Sequence, residues 1–317
     1  MSRALGLALG FAADRWWGDP ARFHPVAGLG RAVGALERTV YADDRRRGTL
    51  FTAAVVGTVT AGGAVVERRT SRRPVLRTAT TALATWAVLG GRSLGREAAA
   101  VGAAVEADDL PRARHRLRSL VGRDPSSLGA DDLARAVVES VAENTSDAVV
   151  APLWWGAVAG VPGLVGYRAV NTLDAMVGHR SPRYARFGWA PARLDDLANV
   201  VPARLSAALA AALAPTVGGR PADALRAWRR DAPGHPSPNA GPVEASFAGA
   251  LGVRLGGVNH YEGVADDRHL LGDGPRPVPA DIARAVRLAA AVDLAALAVS
   301  VALALRPYRE TDDDGLR

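Results

Sequence analysis

Side chains able to do chemistry are unevenly spread along this 317-residue chain. Glu139, Glu143 and Asp147 recur every four residues in "ESVAENTSDAVVAPLWW" (139–155), which then runs without a break into apolar sequence. On a helix each step of four turns about 40° past a full circle, so the three carboxylates share a face. Such a face repels itself unless cations neutralise it. Mg²⁺ suits it, because this ion takes hard oxygen ligands and commonly bridges carboxylates to substrate phosphates. The bland alternative is a solvated face paired with arginines; Asn144 and the abrupt apolar continuation argue against it.

Three other constellations carry polar groups. "DRWWGDPARFHPV" (14–26) sets Asp14, Arg15, Asp19 and His24 beside two tryptophans, a pattern shared with turns anchored at a membrane surface. Between 167 and 204, Asn171 and Asp174 stand at i,i+3, and Asp195, Asp196 and Asn199 form a second carboxylate–amide cluster followed by Arg204. Arg168, Arg193 and Arg204 are placed to pair these acids or to grip a phosphate or carboxylate bidentately. Two acidic clusters beside apolar segments point to a buried polar site built across a helix bundle. The last stretch, "HPSPNAGPVEASFAGALGVRLGGVNHYEG" (235–263), offers Asn239, Glu244, Asn259 and Tyr261 at expected loop and helix ends. Its "GVRLGG" lacks the strand–turn–helix setting of a nucleotide fingerprint, and the six histidines show no metal-ligand spacing.

The elements that must position these groups read as helices. Ala, Leu and Arg recur at helical spacing and β-branched alternation is scarce, so the expected class is all-α. Apolar segments at about 49–66, 75–91, 147–167, 205–219 and 288–305 predict a polytopic membrane bundle with amphipathic and cytoplasm-facing helices, all in one domain over 1–317. The first two segments form a helical hairpin about the Arg-rich turn "ERRTSRRP". Asp293 lies inside the last segment, where a carboxylate costs roughly 3 kcal/mol, so it must face protein or sit off-centre. "ALGLALGFAAD" is too short to span and lacks a cleavage site, so it does not read as a signal peptide. Residues 92–123 suggest a helix pair broken at Pro111, and the helix through Glu139 has Ser126 or Asp131 as its expected N-cap. Residues 235–241 and 272–282 read as loops, and the acidic stretch 309–317 as a disordered tail.

Composition excludes much. The net charge of +7 is carried by arginine alone, with no Lys and no Cys. That removes a P-loop lysine, a Schiff base to pyridoxal phosphate, a thioester cysteine and thiolate zinc sites. There is no aromatic–basic alternation of the kind that binds single strands, so no nucleic-acid partner is expected. Residues 15–48 hold seven Arg and residues 92–140 eight, which places both on the cytoplasmic side if the hairpin between them crosses twice; the Arg-rich hairpin turn runs against this.

Taken in order, these stretches resemble the CobD/CbiB family, the adenosylcobinamide-phosphate synthases of cobalamin biosynthesis. The matching segments are "GDP…HPV" (18–26), "GRDPSSL" (122–128), "VESVAENTSDAVVAPLWW" (138–155), "PGLVGYRAVNTLDAM" (162–176), "YARFGWAPARLDDLANVVPARL" (184–205) and "SPNAGPVEASFAGALGVRLGG" with the Asn, Tyr and Gly that follow (237–263). The chain departs from the family's usual residues at Ala148, Ala175 and "NAGPVEA", none of which removes a candidate carboxylate or amide. The resemblance implies a multi-pass enzyme of the cell membrane that joins aminopropanol, free or as its O-phosphate, to a propionate of adenosylcobyric acid. It implies ATP and Mg²⁺ but no pyridoxal phosphate, and a bilayer and other late membrane enzymes of the pathway as partners. On this reading Glu139, Glu143 and Asp147 form one catalytic wall, and Asp195 and Asp196 with Asn199 the other. Glu143, Asp147 and Asp196 would hold Mg²⁺, and Arg168 and Arg204 would grip phosphate or the acidic side chains of the corrin. Asp19, His24, Asn144, Asn171, Asp174, Asn239, Glu244, Asn259 and Tyr261 complete the substrate-binding set. The competing readings are an AmpE-like membrane sensor, a corrinoid-binding scaffold without chemistry, and a prenyl-transfer-like enzyme suggested by "DDLAN".

Overall fold

The computed structural model describes residues 1–18, 25–122, 124–179, 181–261 and 264–306, with the side chains of 258–268 excluded. Asp19, His24 and the acidic tail therefore lie outside the described residues. The chain begins with α1 (Ser2–Trp17), α2 (Pro25–Val40), α3 (Arg45–Thr70) and α4 (Pro74–Val88). Next come α5 (Gly91–Glu106), α6 (Leu110–Leu117), α7 (Ala130–Thr145) and α8 (Ala151–Leu173). After these follow α9 (Trp189–Ala198), α10 (Val200–Leu213), α11 (Pro221–Asp231) and α12 (Ala240–Leu251). A two-stranded antiparallel hairpin, β1 (Leu255–Tyr261) and β2 (Val264–Leu271), precedes the last helix, α13 (Pro279–Leu305).

This is an all-α bundle in which four helical runs are long and apolar enough to cross a membrane: Arg45–Thr70, Ala130–Gly178, Val200–Val217 and Pro279–Leu305. Segment 75–91 falls short. Its helix, α4, has 15 residues and ends at Val88, where a crossing needs about 20. The break after α5 falls at 107–109 rather than at Pro111, which sits in the first turn of α6, where its missing N–H costs nothing. Neither expected cap starts α7. Gly129 does, while Asp131 and Asp132 lie in the first turn against the positive end of the helix dipole. The hairpin occupies sequence expected to hold loop and helix ends, so Asn259 and Tyr261 belong to strand β1.

Small residues set the packing. α1 lies against α4 through Gly6 and Gly10, a GxxxG spacing, and a Cβ at either would come within 2.5 Å of Thr81 or Thr85. α13 runs through the bundle against α1, α5, α7, α8 and α10, burying Ile282, Ala285, Leu288, Val292 and Ala296. A second cluster, with Val33, Phe51, Val55, Leu173, Val177 and Phe187, joins α2 and α3 to the end of α8 and the approach to α9.

Helix α8 is broken in the middle. Gly160 takes a left-handed φ of 67°, two residues before Pro162. The orphaned backbone groups at the break find partners on α1 and α3. Arg3 Nη1 donates to the Ala157 and Val158 carbonyls at 3.2 and 3.3 Å, and Glu67 Oε2 accepts the Val161 N–H at 2.7 Å. Glu67 Oε1 also pairs with Arg3 at 3.2 Å and with Arg77 at 2.8 Å.

Candidate active site

Two π turns shape the site. α7 passes through one at Ser146–Val150 into α8, and α8 ends in another at Asp174–Gly178. Such turns widen a helix by one residue and recur at functional positions. Each holds a candidate acid, Asp147 and Asp174, and the family departures Ala148 and Ala175 fall one in each. α9 supplies Asp195 and Asp196, and Asn199 sits at the joint between α9 and α10. Trp155 of α8 fixes that joint by donating its indole N–H to the Ala198 carbonyl at 3.0 Å.

These elements bring Glu143, Asp147, Asp174, Asp195 and Asp196 close enough to act on one another electrostatically, with Arg168 among them. Arg168 Nη1 donates to Asn171 Oδ1 at 3.1 Å, and its Nη2 donates to the Val88 carbonyl at the end of α4. Tyr167 O–H donates to Asn199 Oδ1 at 2.9 Å, which turns the Asn199 amide so that Nδ2 donates to Asp195 Oδ2 at 3.0 Å. Burial pushes the Asp195 carboxyl up to about 6; the Asn199 and Asn171 amides oppose the rise, and the charges of Asp196 and Glu143 add to it. Asp196 lies at the rim, 3.6 Å from the exposed Arg193.

The site fits a hard cation completed by substrate. Its donors are carboxylate oxygens in surplus over nearby guanidinium groups, and Asp195 Oδ1 is shut off from solvent without a formed hydrogen bond. Among the described residues no three acidic or histidine side chains form a ready metal cage.

Several expected members lie elsewhere. Glu139 does not share the wall of Glu143 and Asp147. Its Oε1 accepts the Gly256 N–H at 3.0 Å and lies 3.8 Å from Arg135, whose Nη1 donates to the Gly256 carbonyl, so this pair anchors the base of β1. Glu244, inside α12, is buried 3.8 Å from His235. Asn144 donates back to the Ser140 carbonyl at 2.9 Å. Arg204 and Asn239 border the cluster: Arg204 Nη1 donates to Asn239 Oδ1 at 2.7 Å, and Asn239 Nδ2 donates to the Asp196 carbonyl at 2.7 Å. Tyr167 was hidden within an apolar run. The signal for it was the phenol itself, since a buried Tyr O–H usually needs a partner.

Comparison with known proteins matches residues 7–289 to the family described as CobD/CbiB protein. The "Cobalamin biosynthesis protein CobD" of Mycobacterium tuberculosis is 53% identical over 306 residues, covering 96% of this chain and 97% of the relative. The proteins of the same name from Chromobacterium violaceum and Pelobacter propionicus are 44% and 40% identical, covering 91% and 94% of this chain and 92% and 94% of theirs. No solved structure gives a significant match.

Proposed function

The chain belongs to the CobD/CbiB family, and from that premise we propose that it is a membrane enzyme of cobalamin biosynthesis, an adenosylcobinamide-phosphate synthase. The observation that carries this reading is the convergence of Glu143, Asp147, Asp174, Asp195 and Asp196, with Arg168 acting on Asp147. The reaction joins aminopropanol, free or as its O-phosphate, to a propionate carboxylate of adenosylcobyric acid through an amide.

A carboxylate is a poor electrophile, so ATP serves to activate it. Mg²⁺, when bound, neutralises phosphate charge and orients the nucleotide; Glu143, Asp147 and Asp196 would hold it. Arg168, fixed by Asn171 and Val88, and Arg204, fixed by Asn239, are preset to grip phosphate or the corrin's acidic side chains. The amine must lose a proton as the C–N bond forms. Asp195 is suited to take it, because its carboxyl, at about 6, is ionised yet basic near neutral pH. The protein is placed in the cell membrane as a multi-pass bundle with this cluster on the cytoplasmic side, where ATP is available.

The test uses the full chain purified in detergent with adenosylcobyric acid, aminopropanol O-phosphate, ATP and Mg²⁺, following the corrinoid by mass spectrometry and the nucleotide as ADP or AMP. Product that needs both ATP and Mg²⁺ is expected. Corrinoid binding without product would replace this reading with a scaffold, and neither binding nor product would favour an AmpE-like regulatory role.

A further inference from the structure

The turn between α3 and α4 concentrates positive charge. Arg68, Arg69, Arg72 and Arg73 follow one another within it, and all four are exposed. The neighbouring acid, Glu67, is already held by Arg3, Arg77 and the Val161 N–H. None of the four arginines forms an ion pair among the described residues. Arg68 and Arg69, in the last turn of α3, offset the negative end of its dipole. Arg72 and Arg73 have no such role. They precede the positive end of α4, whose first turn holds no acid, so local electrostatics work against them.

Apolar surface begins where the arginines stop. On the α3 side Val65 and Val66 are 46% and 40% exposed, and on the α4 side Val75 and Leu76 are 84% and 41% exposed. Of its 26 residues α3 buries only Gly48, Phe51, Thr52, Val55, Gly63 and Thr70, so most of this long apolar helix faces outward. A free phosphate would use the guanidinium groups alone, whereas the adjoining exposed valines and leucine match acyl chains. A basic cluster of this size at the end of a membrane-spanning helix complements anionic lipid headgroups. The turn is remote from the acid cluster. Gly63 packs against Pro162 and Thr60 against Gly166, so α3 runs antiparallel to the second leg of α8. The two legs of α8 carry Asp147 and Asp174 roughly 20 Å from the break beside Glu67, at the usual rise of a helix.

We infer that the α3–α4 turn is a binding site for anionic phospholipid, with headgroup phosphates against Arg68, Arg69, Arg72 and Arg73 and acyl chains along Val65, Val66, Val75 and Leu76. Guanidinium groups match phosphate geometry, and their long stems cover apolar surface while the charged heads stay at the interface. Bound lipid supplies the negative charge that the turn itself lacks. The inference holds for either leaflet and does not depend on the amide-forming reaction.

The test uses the chain's lack of cysteine. Ser71→Cys, at an exposed position between the two arginine pairs, carries a polarity-sensitive fluorophore on the sole thiol of the full chain in detergent. Phosphatidylglycerol added to the micelles is expected to shift the emission at a mole fraction about tenfold below that needed with phosphatidylcholine. Soluble glycerol 3-phosphate is expected to have no effect. Arg72→Gln together with Arg73→Gln is expected to raise the phosphatidylglycerol requirement by about tenfold or more, from about fivefold per lost charge. Arg68→Gln is expected to raise it about fivefold and decides the matter if the double variant does not fold. A response to glycerol 3-phosphate equal to that of the lipid would assign a free anion. A response that appears only once Glu310, Asp312, Asp313 and Asp314 are neutralised would assign the chain's own acidic stretch, which lies outside the described residues. Either result, no preference for phosphatidylglycerol, or an undiminished response in a folded variant overturns the inference.

Discussion

Two groups of acid in this molecule are treated in opposite ways. Glu67 is a lone carboxylate, 15% exposed, that meets two guanidinium groups and one backbone N–H at the break in α8. The cluster of Glu143, Asp147, Asp174, Asp195 and Asp196 gathers five carboxylates, with Arg168 acting on Asp147 and Arg193 at its rim. The first arrangement meets opposite charge directly, whereas among the described residues the second sets carboxylates mainly against one another. Compensation marks structure, because a buried charge with its partners in place holds helix ends together. A surplus of one sign marks function, because the fold tolerates the repulsion only where something else supplies the opposite charge.

The largest expected effects separate the two directly. Asp195→Asn and Glu143→Gln are expected to lower kcat by roughly 10²-fold or more, the usual worth of an acid–base group. Both should leave the melting temperature in detergent unchanged or raised, since each relieves repulsion. Glu67→Ala is expected to do the reverse. It strands Arg3, Arg77 and the Val161 N–H, at a cost of about 3 kcal/mol in stability, while kcat per folded molecule falls far less than in Asp195→Asn. A stability loss in Asp195→Asn that matched that of Glu67→Ala would erase the distinction.

What the sequence made legible follows the same division. The acids of the cluster could be read because they stand in two runs, 139–147 and 195–199, each beside apolar sequence. The hairpin of 49–66 with 75–91 became α3 and α4, and the segment at 288–305 became the last two thirds of α13. Segment 147–167 is interrupted, and the interruption was spelled out in "AGVPG", where Gly160 permits the left-handed turn and Pro162 lacks a donor. The π turns were not legible, because an i→i+5 register depends on what packs around the helix and has no residue signature. Within 139–147 the first of those turns takes in only Ser146 and Asp147, and the rest is regular α7. The partner of Glu139 was not legible because the Gly256 N–H lies 117 residues downstream. The pairing of β1 with β2 was missed because its bulged start at Leu255–Gly257 and its polar residues break the alternation that signals a strand.

The pH dependence tests the cluster more finely. The folded Asp195 carboxyl, at about 6, lies above its ordinary 3.8, so the folded state holds this proton more tightly than the unfolded chain does. Its stabilising contribution is therefore fully present below about pH 3.8 and is lost as pH rises through about 6. Activity runs the other way, since the base must be ionised: kcat should fall about tenfold per unit as pH drops below about 6. Melting curves and kcat measured from pH 5 to 8 would show the two trends crossing, and Asp195→Asn should flatten this component of the melting profile. An activity midpoint near the ordinary carboxylate value would remove Asp195 from the role of base.

Tyr167→Phe should act through Asn199. Without the phenol, Asn199 Oδ1 loses its donor and the amide is no longer held toward Asp195. The expected cost is about 1 kcal/mol in stability and roughly fivefold in kcat, by the usual conversion of that energy into rate. A merely structural tyrosine would lower stability alone. The positioning role also requires the pH midpoint of activity to move above about 6, because the amide's bond opposes the rise of the Asp195 carboxyl.

Arg193→Gln should have the smallest effect, and its sign is the informative part. The guanidinium is 69% exposed and 3.6 Å from Asp196, so the pair is worth less than about 1 kcal/mol. If Arg193 were to Asp196 what Arg77 is to Glu67, removing it would destabilise the protein and leave ion binding alone. If the cluster exists to present surplus negative charge, removing a rim cation deepens that surplus. The apparent Mg²⁺ requirement should then fall by about twofold, with the melting temperature unchanged, because loss of an exposed pair costs little. Titrating activity against Mg²⁺ at low ionic strength reads this shift, and added salt should shrink it as screening shortens the reach of the lost charge.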